Sequence, residues 1–241
     1  MKICLAASAH KPYLAEEIKA SRYMLESFFY VDAWQIPILT SADLFLLDSG
    51  AFTFLAGGGA VDWDAYIERY VSFIQQNNVR RFFELDIDAV IGYEKVVAYR
   101  KQIEARTGKP CIPVWHRSRG KDEYVRLCDE YDYIAIGGFA IKDIKRTEYP
   151  YIHTLLDIAA KRGTKVHGLG FTPTNVMDYG FYSVDSSAWT SGSRFASFYL
   201  FRNGTMQIYQ KPAGKRLKDY KKLDAHNLQQ WLLFQKYADK E

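Results

Sequence analysis

The chain has 241 residues, 48% of them hydrophobic and 25% charged, a balance that excludes disordered and fibrous classes. No apolar run nears the roughly 18 residues that span a bilayer, and MKICLAAS followed by His10-Lys11-Pro12 does not read as a secretory leader. Cys4, Cys111 and Cys128 are too few and too far apart for a disulfide framework or a Cys-x-x-Cys site, which points to the cytoplasm, and a net charge of +4 says little about partners.

In chain order, apolar β-prone runs alternate with helical segments. A run at 2–7 precedes a helix expected over 11–29. The run at 44–48 precedes Gly57-Gly58-Gly59, which lacks the spacing of a phosphate cradle and reads as a mobile loop. Over 62–76, Tyr66, Ile67, Tyr70, Val71 and Ile74 recur at helical spacing behind a capping Asp62. Further runs at 81–86, 111–115, 133–136, 165–169, 181–185 and 197–201 are interleaved with helices expected over 93–106, 121–131 and 149–162. Asn203-Gly204 marks a hairpin with a last strand at 205–210, and Leu228, Trp231 and Leu232 lie on a final helix. The eight runs preceding that last strand, mostly apolar throughout, imply strands covered on both faces. The expected fold is a (β/α)8 TIM-like barrel, one domain over 1–241, with an added β-hairpin; an open doubly wound sheet is the competitor.

In such a barrel the active site lies where strands end. Here the runs end in Asp48-Ser49-Gly50-Ala51-Phe52, Glu84-Leu85-Asp86-Ile87-Asp88, Trp115-His116, Gly137-Gly138-Phe139, Gly168-Leu169-Gly170-Phe171 and Asp185-Ser186-Ser187. Three runs bring carboxylates to one rim, a costly arrangement unless they bind something, although Asp48 or Asp185 alone could cap a helix. The glycine pairs expose backbone to a flat ligand or simply make tight turns. His116 contacts substrate or phosphate, or is structural. The scattered His10, His153, His167 and His226 give no metal-ligand spacing, so no metal is expected, and no Gly-x-Ser-x-Gly elbow surrounds Ser186. Basic residues gather in Arg117, Arg119 and Lys121 and again between Lys211 and Lys222.

As an ordered set these strand ends resemble the tRNA-guanine transglycosylase superfamily. Asp48-Ser49-Gly50-Ala51-Phe52 resembles its Asp-Ser-Gly-Gly-Phe motif, Ile136-Gly137-Gly138-Phe139 its Val-Gly-Gly-Leu motif, Gly168-Leu169-Gly170 its Gly-Val-Gly stretch, and Val184-Asp185 its Phe-Asp segment. The resemblance implies that Asp185 attacks C1′ of a guanosine nucleotide, giving a sugar ester that an incoming 7-deazaguanine resolves. It implies that Asp48 assists proton movement beside the base, that Asp86 accepts from its N1–H and exocyclic amine, and that Gly137 and Gly138 meet its carbonyl edge. Phe52 and Phe171 are the stacking candidates; Ser49, Gly50 and Gly170 complete the matched motifs, and His116 stands near the position of an expected glutamine. The transfer-RNA enzymes carry a zinc module with three cysteines, whereas this chain has no cysteine beyond Cys128. The departure resembles the DpdA-type DNA 7-deazaguanine transglycosylases of bacteria and phages, with host cytoplasm as the place of action for a phage enzyme.

The expected partners are therefore duplex DNA with the target base flipped out and a free 7-deazaguanine, without zinc or membrane, and with a homodimer or helper proteins admissible. Arg117, Arg119, Lys121, Arg194, Lys215, Arg216 and Lys218 are the expected phosphate contacts. A zinc-less enzyme acting on RNA, a base-releasing N-glycosidase and a non-catalytic nucleic-acid-binding barrel are the alternatives. Asp86 and Asp88 share a strand face, and motif position selects Asp86.

Overall fold

A computed structural model describes residues 1–56, 61–211 and 219–240. Seven parallel strands, β1 (Lys2–Ala6), β2 (Tyr23–Ser27), β3 (Leu44–Asp48), β4 (Val114–Trp115), β5 (Tyr133–Ile136), β6 (Lys165–Gly168) and β7 (Ser183–Ser186), form one sheet in the order β3-β2-β1-β7-β6-β5-β4. The sheet curls into a half-barrel. Cys4, Ala6, Tyr23, Leu25, Leu46, Phe83, Ile112, Val114, Tyr133 and Ala135 pack as one cluster. Residues of opposite parity, such as Ile3, Leu5, Met24, Ile134 and Ile136, join a larger cluster with the surrounding helices, so β1, β2 and β5 are buried on both faces as their apolar runs require.

The helices are α1 (Ala15–Ile18), α2 (Ile36–Ser41), α3 (Trp63–Gln76), α4 (Asp88–Ile91), α5 (Tyr93–Thr107), α6 (Gly120–Glu130), α7 (Pro150–Ala160), α8 (Ser191–Phe195) and α9 (Tyr220–Ala238). The expected periodicity of α3 is borne out: Tyr66, Ile67, Tyr70, Val71 and Ile74 are its buried residues, and Asp62 accepts from the Ala65 amide at 3.0 Å. None of the described helices is long and apolar enough to cross a membrane. The Gly57-Gly58-Gly59 loop lies outside the described residues.

Three features correct the expected closed (β/α)8 barrel. The segment 11–29 is not one helix. After two 3-10 turns and the four-residue α1, Tyr23-Met24-Leu25 enters the sheet as β2 between β1 and β3, because burial on both faces outweighs the helix preference of Met and Leu. The run at 81–86 forms no strand. It makes isolated parallel bridges, Leu47 with Phe82 and Phe83 with Ile112, and the Glu84 carboxylate accepts from the Val114 amide at 2.8 Å, where a longer ladder needs a backbone carbonyl. The run at 197–201 belongs to a separate antiparallel hairpin, β8 (Ser197–Arg202) and β9 (Thr205–Gln210). Its turn at Asn203 (φ 52°) and Gly204 (φ 74°) has the two positive dihedrals that an Asn-Gly hairpin supplies, as the sequence predicted.

Helix α9 ties the hairpin and the chain start to the sheet. Asn227 bonds the Tyr199 amide (3.0 Å) and the Ser197 carbonyl (2.9 Å), and Gln235 donates to the carbonyls of Ile3 and Tyr23. Asp224 accepts from Lys11 Nζ at 2.7 Å, from Tyr13 Oη at 2.5 Å and from the Ser193 amide at 2.9 Å, with both ionic side chains buried. Removing one member of a buried pair strands the other charge. Asp224→Ala is therefore expected to lower stability by about 3 kcal/mol or more, read as the shift of the urea midpoint at unchanged slope.

Candidate functional site

Three of the parallel strands carry an acid at their carboxyl ends, Glu26, Asp48 and Asp185, and Asp86 follows the bridged run at 82–83. Register places Ser27 beside Asp48 and Cys4 beside Asp185, so the ends of β3, β2, β1 and β7 are consecutive. Glu26 is buried and accepts from the Ser8 amide (2.8 Å), Ser8 Oγ (2.7 Å), the Ala9 amide (3.2 Å) and Gln35 Nε2 (2.7 Å). Asp48 accepts only the Gly50 amide, at 3.1 Å, among the described residues. Burial pushes the Asp48 carboxyl up to about 7; the Gly50 bond opposes the rise, and the charges of Asp86, Asp185 and Glu26 add to it. Asp48 thus exchanges a proton near neutrality.

Asp86 lies opposite His116, with Oδ1 2.5 Å from Nε2. Burial lowers the imidazole's proton affinity, but the Asp86 contact and its charge outweigh that and raise it. A Cβ on Gly137 would lie 2.5 Å from His116 Cε1, so glycine there lets the ring rest on the backbone. Asp88 and Glu84 are held instead by Arg119, whose Nε is 2.9 Å from Asp88 and whose guanidinium is 2.7 Å from Glu84; Arg100 completes the group at 3.1 Å from Glu84. Asp86, Asp88, His116, Arg119, Tyr93 and Asp143 line a cavity of about 630 Å³. Among the described residues, Asp86, Asp88 and His116 are the one group whose ligand atoms, all within 4.8 Å of one another, could hold a metal ion. His116 and Arg119 already engage the two carboxylates.

Asp185 is 8% exposed. Its Oδ1 accepts the Gly170 amide at 2.6 Å and lies 3.2 Å from His167 Nε2. Gly170 takes a φ of +68°, which turns its N–H toward the carboxylate. Behind it, His167 Nδ1 is 2.6 Å from Ser183 Oγ, which is 2.5 Å from Tyr133 Oη.

The structure thus brings Asp48, Asp86, His116, Gly137 and Asp185 to one end of the sheet, as the strand-end reading expected. Ser49 is buried with Oγ turned to the Ala51 amide, and the Gly137 amide is taken by the Trp115 carbonyl. Gly138 (φ +93°) follows it in the loop, and its carbonyl accepts the Asp143 amide. Phe171, expected against a base, is instead 1% exposed and packed among Phe139, Tyr149, Tyr179 and Phe181. Arg119, expected on phosphate, is buried on Glu84 and Asp88. Arg117 is exposed but pairs with Glu148; Lys121 and Arg194 are exposed. Lys215, Arg216 and Lys218, and the side chain of Phe52, lie outside the described residues.

Sequence reasoning missed Glu26 and His167. Glu26 ends an apolar Tyr-Met-Leu run in the same manner as the other rim acids, a signal hidden by reading 11–29 as helix. His167 left no local signal, since its partner Asp185 is 18 residues away on the next strand. No protein-family model matches the chain, and no curated protein matches it.

Proposed function

We propose that this protein exchanges guanine in DNA for a free 7-deazaguanine base, with Asp185 as nucleophile. The observation that carries the reading is the contrast between two carboxyl groups at one sheet end: Asp48, which exchanges a proton near pH 7, and Asp185, held by two N–H groups through a single oxygen. Paired acids in unlike environments divide acid–base and nucleophilic roles between them.

In the first displacement an Asp185 oxygen forms a bond to C1′, the C1′–N9 bond breaks, and the electron pair leaves with guanine, which takes the proton of Asp48. In the second, Asp48 removes the N9 proton of the incoming base, N9 bonds to C1′, and the pair of the ester bond returns to Asp185. Two displacements retain configuration. Asp86 accepts from the N1–H and amine edge, His116 fixes Asp86, and Gly138 faces the carbonyl edge.

The phosphate contacts expected at Arg117 and Arg119 move, on this reading, to the loop after β5. Lys142, Lys145 and Arg146 form no ion pair among the described residues, and with Tyr149, Gly170 and Thr172 they line a cavity of about 540 Å³. Gly170 touches Asp185, so phosphates flanking the reacting nucleotide fall beside these cations. Replacing all three by alanine is expected to weaken binding of a duplex oligonucleotide whatever its sequence and to make the slope of log K on log salt shallower by roughly 2 to 3. An unchanged slope in a fluorescence-anisotropy titration places the phosphates elsewhere.

The function is tested by nucleoside mass spectrometry. Guanine-containing duplex DNA and transfer RNA are each incubated with the protein and 7-cyano- or 7-aminomethyl-7-deazaguanine. Insertion into DNA is the expected result. Insertion into transfer RNA alone keeps the chemistry and changes the polymer, and release of guanine without insertion makes the protein an N-glycosidase.

A further inference from the structure

We infer that His167 is a positioning residue that selects which Asp185 oxygen attacks and keeps the sugar ester reversible, an assignment that rests on Asp185 being the nucleophile. His167 lies on β6, fully buried, in a line Tyr133 Oη, Ser183 Oγ, His167, Asp185 Oδ1 with successive separations of 2.5, 2.6 and 3.2 Å.

The chemistry of the groups gives the line a direction. A carboxylate only accepts, so His167 Nε2 carries the hydrogen toward Asp185. In the Nε2–H tautomer Nδ1 accepts from the Ser183 hydroxyl, and Ser183 accepts from the Tyr133 phenol. Each donor points along the chain, and the assembly ends on Oδ1, which also receives the Gly170 amide at 2.6 Å. Oδ1 is thereby occupied by two N–H groups, while Oδ2 accepts no hydrogen bond from the described residues.

Oδ2 is then the oxygen that bonds C1′. In the ester, Oδ1 is the carbonyl oxygen and retains both donors. When the second displacement returns the electron pair to Asp185, the same two N–H groups stabilise the carboxylate that departs, as preorganised donors do for a developing oxyanion. Without the His167 donor the carboxylate is a poorer leaving group and swings more freely. The ester still forms but is resolved slowly.

The test compares the parent with His167→Leu, which keeps volume and loses the donor, and with His167→Gln, which keeps an N–H. Each is mixed with a labelled guanine-containing duplex and 7-aminomethyl-7-deazaguanine, quenched at intervals and run on a denaturing gel to count the protein–DNA adduct. His167→Leu is expected to lower kcat by about 100-fold, to lower KM for DNA in step with it because the ester accumulates, and to raise the trapped adduct several-fold; His167→Gln recovers most of kcat. Equal behaviour of the two variants, or an adduct fraction unchanged in His167→Leu, overturns the role of His167. If His167→Leu does not fold, Ser183→Ala, which removes the hydroxyl that Nδ1 accepts from, is expected to raise the adduct in the same direction, and an unchanged fraction there overturns the proposal. A parent that exchanges bases but gives no adduct overturns the nucleophile assignment itself, and with it this one.

Discussion

Replacing Asp185 by asparagine is expected to lower base exchange by about 10⁴-fold or more while leaving the folded state as stable as the parent. The two effects separate because they belong to different oxygens. The oxygen of the introduced side-chain amide can still accept from the Gly170 amide and His167 Nε2, so the end of β7 keeps its contacts. That side chain has no free carboxylate oxygen to attack C1′. It also removes a negative charge from a rim where Asp48, Asp86 and Glu26 already crowd together, and relief of like-charge repulsion is a recurrent way in which disabling a site stabilises a fold. The measurement is a pair: nucleoside mass spectrometry for exchange, and a urea melt for stability. A variant that is inactive because it unfolds shows a lower urea midpoint; a variant that keeps parental exchange removes Asp185 from the chemistry.

The rim was readable because a parallel strand leaves its chemistry at its carboxyl end, so a polar residue after an apolar run carries positional information even before the fold is known. That logic located Asp48, Asp86, His116 and Asp185. It failed where the run itself was disguised: Tyr23-Met24-Leu25 follows Ala15, Glu16 and Glu17, good helix formers, and only its place between β1 and β3 makes it a strand. Glu26 was lost with it. The roles of charged residues were least legible. Arg119 reads as a loop cation until Glu84 and Asp88, more than 30 residues away, are seen to enclose it. Closure of the barrel was overread for a related reason, since Phe82 and Phe83 look like a strand but make only one bridge to each side before the Glu84 side chain takes the next amide.

Asp48→Asn gives the second large effect, and its sign follows from proton linkage. In the folded protein the Asp48 carboxyl is raised from the usual 3.8 to about 7, so between those values the folded state holds a proton that the unfolded chain has released. Stability conferred by this group therefore falls as pH rises from about 4 to about 7 and stays low above, where Asp48 is ionised in both states. The cost of the ionised form is roughly 2 to 4 kcal/mol, after allowance for partial exposure. His116 acts in the same sense: its raised affinity stabilises the fold at low pH and is lost as pH climbs through its folded value. That contribution is present in both proteins and cancels in their difference. Asp48→Asn is thus expected to match the parent near pH 4 and to melt higher at pH 8 by roughly 5 to 10 °C, with the gap opening through the intervening range. The same substitution removes the group that delivers and recovers the base proton, so exchange is expected to drop by about 10² to 10⁴-fold. Parallel melting curves at every pH would show that Asp48 titrates as an ordinary surface acid, and the proton needed by departing guanine would then have to come from elsewhere on the rim.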